Sequence, residues 1–181
     1  DKQYALSSLN ITDAAAIPVA KTVFVSKNGD DAAGLVERLD KPFLTNAAAR
    51  AALLAFYTGP NAPSVTNRIL VKVFSGDWTE GIVLDNFVDY DLSNSTFNLG
   101  STAITDSGVS VNANIYGSAR ITGNDATLIT GAASAVKIYC SFINRINLAS
   151  AGGSLDVFCP NLSGSAAQGA IDICGGTLTI H

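Results

Sequence analysis

The sequence holds no methionine, a single histidine that is its last residue, His181, and only two glutamates, Glu37 and Glu80. Without an internal histidine, Ser-His-Asp or Cys-His nucleophilic machinery and histidine-rich metal sites are not expected of these residues. Scarce glutamate and a charged fraction of 14% argue against long solvent-exposed helices, which favour Glu, Lys and Arg. The formal net charge of −4, from 15 acidic and 11 basic residues without blocks, gives no footprint for a phosphate backbone or an anionic membrane. Nucleic acid is therefore not an expected partner. Membrane insertion is not expected either, because the apolar stretches fall far short of the roughly 20 residues that cross a bilayer. Cys140, Cys159 and Cys174 cannot all pair within one chain and form no CxxC arrangement near histidine. They read as small buried apolar residues, and no metal or other cofactor is expected. Residues 1–20 lack a basic segment followed by an apolar one, so no secretion signal is legible. With no starting methionine, the chain reads as processed, trimmed or part of a longer product.

What is present is 181 residues, 48% of them apolar, enough for one domain with a core. Ala, Ser, Thr, Gly and Asn recur throughout, a composition that suits many short strands joined by tight turns. One segment departs from it. TNAAARAALLAFY, Thr45 to Tyr57, is rich in helix formers, has Thr45 or Asn46 as an N-cap, and lies between Pro42 and Gly59-Pro60. Its small residues allow close approach, which fits a lid over the open end of another element. Ahead of it, TVFVS at Thr22 to Ser26 predicts a strand closed by Asn28-Gly29-Asp30. RILVKVF at Arg68 to Phe74 predicts another after it.

Beyond Gly81 the chain turns to short apolar alternations separated by Gly, Asn, Asp and Ser. Val136-Ile138-Cys140 and Leu155-Val157-Cys159 superimpose at a spacing of nineteen residues. Val88-Tyr90-Leu92, Phe97-Leu99, Val109-Val111-Ala113-Ile115, Ile171-Ile173 and Leu178-Ile180 carry the same pattern. Strand and turn units of such length without intervening helices predict a solenoid, each coil stacked on the next. An antiparallel sandwich also gives short strands, but hairpin dipeptides are scarce between the later ones. Stacked coils would set Cys140 directly on Cys159 inside and leave Cys174 out of phase. Gly29 is expected to supply a positive φ in its turn, and Asn112-Ala113-Asn114 and Asn144 to Asn147 are expected to stack as amide ladders.

TVFVSKNGDD at Thr22 to Asp31, KPF at Lys41 to Phe43, the alanine-rich helix, and ILVKVFSGDWTEGIVL at Ile69 to Leu84 together resemble the opening module of the pectate-lyase-like superfamily. The resemblance implies an all-β fold, a single-stranded right-handed parallel β-helix with an N-terminal capping α-helix. Residues 1–20 would be an N-terminal arm and 21–181 the β-helix domain. Within it, the opening strand and capping helix occupy 21–67 and the coils 68–181. Because an uncapped solenoid end is an edge liability, further coils or a partner are expected past Ile180.

Chemistry has few candidates. Asp85, Asp89 and Asp91 are the densest acidic group, and alternation places Asp89 and Asp91 outward on either side of Tyr90. Sugar hydroxyls, calcium and plain solubility are all open to them. Trp78 reads as packing over the first coil, with a sugar-stacking platform as the alternative. Arg120 and Arg145 are isolated in sequence, and no catalytic residue is assigned. The leading expectation is a structural or adhesive protein, a phage or virion tail or fibre component that contacts host-surface glycan. It would sit outside the cell or on the virion surface, and the resemblance to tailspikes implies a homotrimer or larger assembly. A polysaccharide lyase or glycoside hydrolase with its active site on later coils is the alternative.

Overall fold

The structure, a computed structural model, describes residues 21–108, 110–123, 127–129, 133–148, 153–164, 171–173 and 176–181. The arm at 1–20, Val109, Asp125 and Cys174 lie outside them. The β-branched run after Lys21 forms β1 (Thr22–Val25), and the alanine-rich segment forms α1 (Asn46–Phe56). A first coil follows as β2 (Ile69–Val73), β3 (Gly76–Trp78) and β4 (Ile82–Leu84). The second is β5 (Val88–Asp91), β6 (Ser95–Asn98) and β7 (Ile104–Asp106). The third is β8 (Asn112–Tyr116), β9 (Arg120–Thr122) and β10 (Thr127–Ile129), and the fourth β11 (Ala135–Tyr139), β12 (Phe142–Ile143) and β13 (Ile146–Leu148). Then come β14 (Ser154–Phe158), β15 (Ile171–Ile173) and β16 (Thr177–Ile180).

Strands of like rank stack into three sheets, in the orders β1-β2-β5-β8-β11-β14-β16, β3-β6-β9-β12 and β4-β7-β10-β13-β15. Every pairing of these strands is parallel, which excludes the sandwich. The result is a parallel β-solenoid of about four turns with one helix ahead of the coils.

Alternation accounts for the core. Val23, Val71, Tyr90, Ile115, Ile138, Val157 and Ile180 register one on the next along the long sheet. All but Ile180, on the last strand, are at most 1% exposed. A second inward column runs Trp78, Phe97, Ile121, Ile143. Full burial of one such aliphatic side chain is worth about 1.5–3 kcal/mol, so columns of this length dominate the folding energy. Cys140 and Cys159 follow the paired Tyr139 and Phe158, are buried, and carry free thiols, as the repeat predicts. Burial pushes the Cys140 thiol well above the ordinary range, with a hydrogen bond to Cys159 adding to it.

The helix closes the first coil. Thr45 is the N-cap, its Oγ1 accepting the Ala48 amide at 3.1 Å. Ala49 and Leu53 are buried on the helix's inner face. Phe43 extends the seal: its amide donates to the Phe24 carbonyl at 2.8 Å and its carbonyl accepts from Ser26 at 2.9 Å, covering the free edge of β1.

Two expectations are corrected here. Gly29 is not in the positive-φ region; it is required because a Cβ there would stand 2.2 Å from the Phe43 carbonyl oxygen. Nor do the asparagines form amide ladders. Asn144 and Asn161 donate instead to carbonyls of the preceding coil, Gly123 at 2.8 Å and Ser141 at 3.0 Å, and Asn114 donates to Asp89. A carbonyl one coil away lies at a fixed strand spacing, so a short amide reaches it more readily than another mobile amide.

Candidate functional site

The five residues singled out in sequence fall into three environments. Trp78 is 1% exposed and its ring stacks on Phe97 of the next coil at 6.2 Å. Its Nε1 donates to the Phe74 carbonyl at 3.3 Å, and the Lys27 ammonium covers its ring at 4.0 Å. Tyr90 points inward, 1% exposed, with its hydroxyl donating to the Val83 carbonyl at 3.4 Å. Burial, helped by the nearby Asp85 charge, pushes this phenol far above its ordinary value.

The three aspartates each hold a different cation. Asp85 is gripped by two nitrogens of Arg50, at 2.5 and 2.8 Å, which ties α1 to the end of β4. Asp89 takes a fork from Arg68 at 2.7 and 2.5 Å and accepts the Asn114 amide and side chain at 2.8 and 2.9 Å. Asp91 pairs with Lys72 and accepts the Ser93 amide and hydroxyl. Asp89 and Asp91 do stand outward on either side of the inward Tyr90. The arrangement is a set of clamps between helix and coil or between adjacent coils, and the carboxylates are not brought together around a common space. Among the described residues no group of three or more His, Cys, Asp or Glu is placed to hold a metal ion. No helix among them is long and apolar enough to cross a membrane.

A feature not singled out in sequence lies on the flank of the long sheet. Tyr116, Tyr139, Phe158 and His181 stack ring on ring, with centroids 5.7, 4.4 and 4.1 Å apart and planes within 19° of parallel. Each immediately follows an inward residue of the same column, Ile115, Ile138, Val157 or Ile180, so each faces out at the same corner of its coil. That recurrence was available in the sequence as a ring immediately after each of Ile115, Ile138, Val157 and Ile180. Asn114, Lys137, Asp156 and Thr179 form the adjoining outward column by the same register, with Lys137 and Asp156 3.8 Å apart. Tyr116 is 41% exposed, and neither its hydroxyl nor that of Tyr139 has a hydrogen-bond partner among the described residues.

No protein-family model, curated protein or solved structure matches the chain. The fold therefore defines the class, a helix-capped parallel β-solenoid, and no comparison assigns it to a particular branch of β-helix proteins.

Proposed function

We propose that the chain is a non-enzymatic adhesive element, a tail or fibre component of a virion on the tailspike side of the pectate-lyase-like β-helices, which holds host-surface glycan against the flank of its coils. The observation that carries this reading is the outward column of Tyr116, Tyr139, Phe158 and His181 beside Asn114, Lys137 and Thr179. Because the ring faces engage one another, the flank offers ring edges and phenol hydroxyls rather than open stacking faces. Ring edges recur once per coil at the strand spacing of about 4.8 Å, commensurate with the length of a sugar ring, so a glycan laid along the axis meets a regular row of edges, with phenol hydroxyls at Tyr116 and Tyr139. Glycoside hydrolysis needs two carboxylates about 5–10 Å apart across a substrate. Asp85, Asp89 and Asp91 are each engaged by a cation of the same molecule, which favours contact over cleavage. A homotrimer on the virion exterior is the assembly that goes with this reading.

The test is incubation of the protein with a panel of acidic and neutral polysaccharides. At least one is expected to be retained without new reducing ends or unsaturated products, and Tyr116→Ala with Tyr139→Ala is expected to weaken that retention. Released oligosaccharide products would establish the lyase or hydrolase alternative instead.

A further inference from the structure

A cavity at the C-terminal end of α1 has a different chemistry from the flank. About 330 Å³ in volume, it is lined by Lys21, Glu37, Phe56, Tyr57, Asn61 and Asn67. Glu37 is fixed there from both ends. Its Oε1 accepts the Lys21 amide at 2.7 Å and the Tyr57 hydroxyl at 2.8 Å, and its own amide donates to the Thr22 carbonyl at 3.0 Å. Its other carboxylate oxygen accepts nothing among the described residues. Asn67 Nδ2 donates to the carbonyls of Asn61 and Ala62 at 2.7 and 3.1 Å, which leaves Oδ1 as an oriented acceptor.

Phe56 adds a ring that is 55% exposed and set edge-on to Tyr57 at 5.0 Å. Lys21 and Glu37, joined by one hydrogen bond, both have left-handed backbones, φ 60 and 61, although neither is glycine. Such conformations persist only where the surroundings hold them, and they cluster at ligand clamps.

We propose that this cavity is a binding site for one neutral pyranose ring. Phe56 lies under the sugar's C–H face, Glu37 and Asn67 accept from its hydroxyls, and Lys21 and Asn61 donate to them. The volume is at the small end of ligand pockets, which span about 300–1,000 Å³, and suits a single ring. Lys21 and Glu37 carry opposite charges, so the site has no preference for a charged sugar. The ligand class rests on the glycan reading above, but the residues do not overlap with the flank.

The experiment is amide and side-chain chemical-shift mapping on the full chain, titrated separately with glucose, galactose and N-acetylglucosamine. Saturating shifts are expected at Lys21, Glu37, Tyr57, Asn61 and Asn67 with at least one sugar. Phe56→Ala is expected to weaken that binding by about fivefold or more, close to 1 kcal/mol. Asn61→Ala, at another exposed residue, is the second variant should Phe56→Ala lose its dispersed spectrum. The absence of shifts at these residues up to about 100 mM of each sugar, a range that detects even weak affinity, would overturn the site. So would shifts insensitive to both variants. Shifts confined to Tyr116, Tyr139 and Phe158 would also overturn it while leaving the flank reading standing. Shifts at the cavity together with no polysaccharide retained on the flank would uphold it and sink the flank reading alone.

Discussion

Asp91 shows how a single outward carboxylate on a coil is controlled. Burial by itself would raise its pKa, but hydrogen bonds from Lys72 and from the Ser93 side chain and amide outweigh that, and the net direction is down. A carboxyl depressed in the folded state contributes stability that is complete above the ordinary aspartate value, about 3.9, and is lost as pH falls through the lower folded value. The stability difference between the parent chain and Asp91→Asn is thus expected to be constant above about pH 5 and to shrink below about pH 4. Urea unfolding at several pH values measures it, and a difference that grows on acidification would reverse the assignment. Glycine is governed by equally local contacts. Gly29 is a glycine because the Phe43 carbonyl passes where a side chain would stand, a constraint between segments that turn statistics cannot register.

At the scale of elements, the N-terminus of α1 is held by carboxylates from two different segments. Asp31 accepts the Leu44 and Thr45 amides and the Thr45 hydroxyl, while both oxygens of Glu80 lie 3.0 Å from the Asn46 amide. Glu80 sits between β3 and β4, so this contact docks the helix on the first coil. Burial raises its pKa, with the Asn46 and Ala47 amides pulling the other way. Glu80→Ala is expected to cost about 0.5–2 kcal/mol, the range for a lost helix cap, and Glu80→Gln clearly less, since its amide oxygen still accepts. Denaturant midpoints decide this, and equal losses in the two variants would show that docking does not run through that acceptor.

The elements themselves were largely legible in the sequence. Thr22 to Ser26, Thr45 to Tyr57 and Arg68 to Phe74 match β1, α1 and β2 to within a residue or two, because periodicity and capping are local properties. The nineteen-residue repeat read as coil stacking is the register of β11 on β14. The partners of Asp85, Asp89 and Asp91 were not legible: Arg50 and Arg68 lie 35 and 21 residues away from the first two and meet them only once the chain has wound back. The flank column was missed because each ring occupies an outward position in an alternating segment and looks like an ordinary surface residue until the coils are superimposed.

At the scale of the molecule, both proposed contacts depend on winding. The flank exists only if residues nineteen to twenty-three apart lie side by side, and the cavity only if β1, α1 and the loop before β2 converge at the sealed end. Through-space proton NMR on the isotope-labelled chain tests that winding most directly. Parallel stacking places the amide and α protons around Val136 to Tyr139 next to those of Leu155 to Phe158 in ascending order. Contacts ascending together along both segments are expected; close α-proton pairs running in opposite directions along them would contradict the solenoid and, with it, the flank and the cavity.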